Sequence, residues 1–293
     1  MLKSLISLMR PRQWVKNLFV FLPMFFGGAL LNVSCWTADL LCFIAFSLMA
    51  SAVYCINDVR DAESDRMHPV KCRRPVASGR VSAATATALG VALAAGSLAV
   101  SFLALPHAAL TCSLVLITYL ALNLIYSLGL KDIGIVDVCI LALGFVLRVL
   151  VGGMAASIVL SPWIVLMTFL LAMFLALAKR RDDLLLMSQG TFEGRPSISN
   201  YNMPFMDMSL AVTGAVTIVC YIMYTLSPAL ENRLGSNYVY ITSIFVVAGI
   251  LRYLQIAMVE HRSGNPTSIM LHDKFIGMCM AGWILVFIFI LYL

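Results

Sequence analysis

The sequence predicts an all-α, polytopic integral membrane protein with nine transmembrane helices, and three observations carry that prediction. Of 293 residues, 61% are apolar or aromatic and only 12% are charged, with a mean hydropathy of +0.95; soluble domains carry about 25% charged residues. The apolar residues form continuous runs without apolar/polar alternation, which excludes barrel strands. Each run can cross a hydrocarbon core that takes about 20 helical residues. A water-soluble globule, a disordered chain and a nucleic-acid-binding domain are excluded at this level.

Residues 1–16 read as an interfacial helix. Leu2, Leu5, Ile6, Leu8 and Met9 can form its apolar face, with Lys3, Arg10, Arg12 and Lys16 on the other. No short apolar core with a small-residue cleavage site follows, so no cleavable signal is expected. Spans are expected at 18–33, 39–57, 84–103, 107–126, 135–156, 160–178, 209–227, 236–258 and 272–293, the first only if residues from Trp14 contribute. With the N-terminus in the cytoplasm, the outer loops near 34–38, 104–106, 157–159 and 228–235 carry one basic residue, Arg233. Seventeen of the 20 Lys and Arg then fall at the inner face, which orients the chain N-in and C-out in the inner (plasma) membrane. The eight cysteines form no CxxC pair and read as core fillers, and the four histidines lack metal-ligand spacing.

The acids are less ordinary. Of 14 Asp and Glu, only Asp39 and Glu231 sit on the outer side, although orientation rules place no such demand on acids. The chain reads as one domain, 1–293, whose segments 58–83 and 179–208 carry polar chemistry at the cytoplasmic face. Asn57, Asp61 and Asp65 are four apart and Asp58 is three before Asp61, so on a helix their oxygens share a face. Like charges in that register repel, and a hard divalent cation relieves them. Mg²⁺ takes a few carboxylates, keeps waters and completes its octahedron with substrate phosphates. Lys71, Arg73 and Arg74 follow within a loop's reach and suit phosphate oxygens. The plainer alternatives are a solvated acidic helix end and ordinary inner-face charge.

Asn57-Asp58-x-x-Asp61-x-x-x-Asp65, followed by His68-Pro69-x-Lys71-x-x-Arg74-Pro75-x-Ala77-x-Gly79, resembles the first signature of the UbiA superfamily of intramembrane prenyltransferases. More narrowly it resembles the branch containing decaprenyl-phosphate phosphoribosyltransferase. Arg10-Pro11-x-Gln13-Trp14-Val15-Lys16-Asn17 also resembles that branch. So does Tyr126-Ser127-x-x-Leu130-Lys131, leading through Asp137 to Gly144-Phe145-Val146-Leu147-Arg148. The resemblance implies nine membrane helices and magnesium at Asp-rich cytoplasmic motifs. Metal ligands are then Asn57, Asp58, Asp61 and Asp65, with Asp58, Asp61, Asp65 and Lys71 as the catalytic set. Substrate would meet Lys16, Asn17, Arg73, Arg74, Tyr126, Lys131, Arg148, Lys179, Arg180 and Asp182.

Two features refine this. Arg148 falls near the middle of the fifth span, where a charge costs at least about 2.5–3.5 kcal/mol. It therefore needs a partner: Asp137, eleven residues away and on the same helical face, a structural salt bridge to another helix, or a substrate phosphate. Second, prenyl-diphosphate users in the superfamily carry a second motif of spaced acids after the sixth span, whereas this chain has adjacent Asp182 and Asp183 behind Lys179-Arg180-Arg181. Adjacent side chains diverge by about 100° on a helix and share a metal poorly. The expected reaction is therefore Mg²⁺-dependent transfer of a phosphoribosyl group from phosphoribosyl pyrophosphate to a polyprenyl phosphate, within membrane lipid and with no nucleic acid involved. Prenyl transfer to an aromatic or other lipophilic acceptor is the alternative, and anion transport a third reading.

Overall fold

The computed structural model describes residues 2–67, 71–189, 198, 200–228, 230–231, 236 and 238–292. His68, Pro69 and Arg233, used above, lie outside them, as do residues 190–197 of the second polar segment.

All regular structure among the described residues is helical. The order is α1 (Leu2–Met9), a 3₁₀ segment (Pro11–Phe21), α2 (Leu22–Phe26), α3 (Val33–Arg60), α4 (Ala62–Met67), a 3₁₀ turn (Lys71–Arg73), α5 (Ala83–Ala104) and α6 (Ala109–Leu128). A second turn (Leu130–Asp132) leads to α7 (Val136–Ala155), α8 (Pro162–Ser188) and α9 (Met203–Thr225). A turn at Val239–Thr242 then enters α10 (Ser243–Met258), followed by α11 (Pro266–His272) and α12 (Lys274–Tyr292). Local sequence sets the starts. Asn32, Ser82, Ser161, Asn202 and Asn265 each accept a backbone N–H of the first turn, and Pro162 and Pro266 occupy positions where a missing N–H costs nothing.

Seven described helices are long and apolar enough to cross a membrane: α3, α5, α6, α7, α8, α9 and Val239–Met258. The expected ninth span, 272–293, falls on α12, which is preceded by α11; Pro266–His272 and Lys274–Ile290 form a pair bent by 74°. The expected first span is not a continuous α-helix. Arg10 turns the chain in a left-handed conformation (φ 53°), and Pro11 opens eleven residues of 3₁₀ helix. With three residues per turn, side chains three apart stack in a column. One such column, Trp14, Asn17 and Val20, faces protein: Trp14 donates to Ser51, Asn17 to Ser47, and Val20 is fully buried.

The chain divides into two compact units, Met1–Leu128 with Gly144–Leu160, and Gly129–Leu143 with Ser161–Leu293. In the first, Phe46, Met49, Leu116, Tyr119 and Val151 centre one apolar core, and Leu8, Ala52, Cys55 and Val76 join a second beneath α1. In the second, Phe174, Leu210, Met206, Tyr253 and Ile256 form the core. Exposed Val91, Leu103, Leu114 and Leu285 show the outside to be apolar as well, as lipid contact requires. The chain is a multi-pass integral membrane protein.

Gly152 marks the closest approach in the first unit, because a Cβ there would run into the Val20 carbonyl. Gly152→Ala is expected to cost about 1–3 kcal/mol by overpacking. Gly277→Ala, which would meet open space, is the control, expected to be neutral or mildly stabilising. Thermal unfolding in detergent compares them.

Candidate active site

In the first unit, the acids gather where α3 ends. Asp58, in the last turn of α3, is 2% exposed. Its Oδ1 takes a charged hydrogen bond from Arg10 and lies 3.6 Å from Nη1 of Arg74. The same Arg74 nitrogen donates to Oδ2 of Asp65 at 2.5 Å. Asp58 and Asp65, seven residues apart, thus reach one guanidinium. Asn57 points elsewhere, its Oδ1 accepting from Ser127 of α6 at 2.7 Å. The expected helical ladder of four oxygens is not continuous: Asp61 caps α3 and interrupts the helix before α4, and Arg10 and Arg74 pair with the two buried carboxylates.

The loop after α4 is shaped to return Arg74. Ser78 donates both its N–H and its hydroxyl to the Arg74 carbonyl, Val81 bonds back to Pro75, and Gly79 turns the chain at φ 74°. Lys71 is half-buried in the turn before it. Arg73 is exposed, and its carbonyl accepts from Arg80. Tyr126 is buried beside Ser127, while Lys16 is half-buried on the 3₁₀ segment.

Arg148 resolves differently from expectation. Its Nε donates to Asn17 at 2.8 Å, Nη1 to the Gly144 carbonyl at 2.6 Å and Nη2 to the Tyr119 hydroxyl at 3.2 Å. The rings of Phe46, Tyr119 and Phe145 lie 4.7–5.1 Å from its guanidinium carbon. No carboxylate among the described residues pairs with it. Neutral oxygens and three ring faces meet the cost of the buried charge, and Asn17, expected at substrate, is the strut that receives it.

In the second unit, Asp137 is fully buried and accepts from Arg180 Nε at 2.5 Å. Arg180 Nη1 also donates to Asp183 at 2.9 Å. Arg180 is therefore held by two carboxylates. Arg181 donates to Asp207, to the Ala257 carbonyl and to the His261 ring. Asp182 accepts the Ser263 N–H, and Gly264 passes so close that any Cβ would strike its Oδ2. Lys179 is exposed, and Lys131 is half-buried in the turn after Gly129. Asp273 is engaged by Arg252, and Asn265 caps α11.

Sequence reasoning assigned no site role to Arg10 or Ser127, and it placed Tyr201 only in a polar stretch, 195–207, able to cap or line the site. Tyr201 accepts the Ile135 N–H and donates to Asp137 Oδ1 at 3.4 Å. Burial raises its phenol above the ordinary range, the Ile135 N–H opposing and Asp137 reinforcing the shift. The only prior signal was the polar run Asn200-Tyr201-Asn202.

Among the described residues, no three His, Cys, Asp or Glu side chains form a group able to hold a metal ion. At this helix end one atom nevertheless asks for a cation: Asp58 Oδ2 is buried and has no hydrogen-bond partner among the described residues. Magnesium needs only one or two carboxylates when phosphates supply further oxygens, so the donors at this helix end fit such an ion arriving with an anionic substrate.

The UbiA prenyltransferase family model matches residues 18–275. The chain is 31% identical over 293 residues to the decaprenyl-phosphate phosphoribosyltransferase of Corynebacterium glutamicum, covering 99% of this chain and 87% of that protein. It is 32% identical to the Mycolicibacterium smegmatis protein of the same name, covering 97% and 91%. A UbiA homolog from Archaeoglobus fulgidus, solved with GPP and Mg²⁺, superposes with a TM-score of 0.72 at 20% identity, over 99% of this chain and all of that one. The arginine-braced acids of α3 and α4 thus lie in the matched region, and the chain belongs to the UbiA prenyltransferase family as a membrane-embedded transferase.

Proposed function

We propose that this chain transfers the 5-phosphoribosyl group of phosphoribosyl pyrophosphate to a polyprenyl phosphate, releasing pyrophosphate, at the cytoplasmic face of the inner membrane. The observation that carries the choice of donor is the fate of the acids on α8. Asp183 is paired with Arg180 and Asp182 accepts the Ser263 N–H, so neither is laid out with spaced acids for a second metal. That favours the phosphoribosyl donor over a prenyl diphosphate gripped by two metals. The near-full-length relatives named for this activity support the same reading.

Asn57, Asp58, Asp61 and Asp65 would hold Mg²⁺, which when bound offsets the negative charge of pyrophosphate. Arg10 and Arg74 already pair with Asp58 and Asp65 and orient them. Lys71, Arg73 and Arg74 provide cationic donors for the donor's phosphates. As the anomeric C–O bond breaks, charge grows on the departing oxygens, and fixed cations at that point lower the barrier. The acceptor phosphate is already an anion, so no strong general base is required. Lys131 and Lys179 are assigned to that phosphate, while Arg180, held by two carboxylates, is reassigned to bracing Asp137.

A donor panel tests the reading. Membranes with Mg²⁺, polyprenyl phosphate and labelled phosphoribosyl pyrophosphate are expected to yield a labelled phosphoribosyl lipid. Prenyl diphosphate with aromatic acceptors is expected to yield nothing. The reverse pattern overturns the assignment in favour of prenyl transfer.

A further inference from the structure

The turn that carries Lys131 holds an unusual backbone state. Between α6 and α7 the chain passes through Leu130–Asp132 and reaches Ile135 at φ 66°. That is the left-handed region, which β-branched residues rarely enter. Such a state persists only when its surroundings fix it. The side chain of Ile135 is not what fixes it, being 54% exposed. The backbone N–H of Ile135 instead donates to the hydroxyl of Tyr201. Tyr201 is 8% exposed, and its ring stacks on Phe205 of α9 at 5.8 Å and 8°. Its hydroxyl faces Asp137 Oδ1, whose other oxygen is bound by Arg180. The ring also lies 3.5 Å from where a Cβ on Gly134 would be, so it packs along the turn itself. One phenol thus joins the strained end of the turn to the buried Asp137–Arg180 pair.

We propose that Tyr201 is a positioning residue, whose hydroxyl, set between the Ile135 N–H and Asp137, fixes the Gly129–Ile135 turn that presents Lys131 to the acceptor phosphate. The acceptor part rests on the function proposed above; the fixing of the turn does not. Tyr201 touches no reacting atom in this scheme and acts only through the turn.

Tyr201→Phe keeps the ring, its stacking and its packing on Gly134, and removes only the hydroxyl. Amide hydrogen exchange on the full chain in nanodiscs reads the turn without any turnover. Exchange at 129–136 is expected to speed up at least about tenfold while α9 stays protected, as local opening requires. In the transfer assay, KM for polyprenyl phosphate is expected to rise several-fold, with KM for phosphoribosyl pyrophosphate and kcat little changed. Adding Ile135→Gly, which tolerates positive φ without strain, is expected to bring the acceptor KM back toward the wild-type value. Unchanged exchange in Tyr201→Phe overturns the proposal. So does an equal rise in both KM values, or no recovery on adding glycine. If the wild type makes no phosphoribosyl lipid but the turn still loosens, the reaction assignment fails and the fixing of the turn stands.

Discussion

Asp58→Asn is expected to lower kcat/KM by about a thousandfold, or roughly 4 kcal/mol of transition-state stabilisation, in a protein that still folds. The amide matches the carboxylate in size but carries no charge to share with a divalent ion. It also withdraws the buried oxygen, Oδ2, that no described residue satisfies. Folding tolerates the change because Arg74 keeps Asp65 at 2.5 Å and the Arg10 side chain is 26% exposed, within reach of water. The loss of stability should stay within about 2 kcal/mol, the scale of one charge-assisted hydrogen bond. Phosphoribosyl transfer and thermal unfolding on the same preparation separate the two effects. A wild-type rate in this variant would remove Asp58 from the site altogether.

Arg148→Ala is expected to act through folding instead, at about 3–5 kcal/mol. It strips three hydrogen bonds at once, leaving the Asn17 carbonyl, the Tyr119 hydroxyl and the Gly144 carbonyl without their donor. It also empties the space among Phe46, Tyr119 and Phe145. Arg148→Lys keeps the charge but not the planar fork that reaches Asn17 and Tyr119 together, so its melting temperature should fall between those of the alanine variant and the wild type. If the alanine variant melts like the wild type yet loses activity, Arg148 belongs to substrate binding, not to the scaffold.

Much of this architecture is legible in the residues, and what is not has physical reasons. Continuous apolar runs locate α3 and α5 to α10, because a bilayer leaves few other ways to satisfy the backbone. Placing Asn57, Asp58, Asp61 and Asp65 at the end of the second span follows from counting alone. Their partners do not. Arg10 is 48 residues from Asp58, and Ser127 is 70 from Asn57, separations on which helical periodicity is silent. The same limit misdirected the reading of Arg148 and Asp137. Eleven residues on one helix suggest a shared face, but each side chain is claimed by a group far along the chain, Asn17 for one and Arg180 for the other. The 3₁₀ segment escaped because its composition resembles that of a span, and only the backbone reversal at Arg10-Pro11 foreshadows it.

That segment also limits how the protein can diverge. In a helix of three residues per turn, losing or gaining one residue swings everything beyond it by about 120°. Trp14, Asn17 and Val20 would leave Ser51, Ser47 and the core together, and Arg148 would lose its strut in the same step. A change of three residues would restore the rotation and spoil only the length. Homologous chains that preserve this arrangement should therefore keep Trp14 and Asn17, differ more freely in the other side chains along 12–19, and seldom differ in the number of residues there, a reading-frame constraint imposed by geometry.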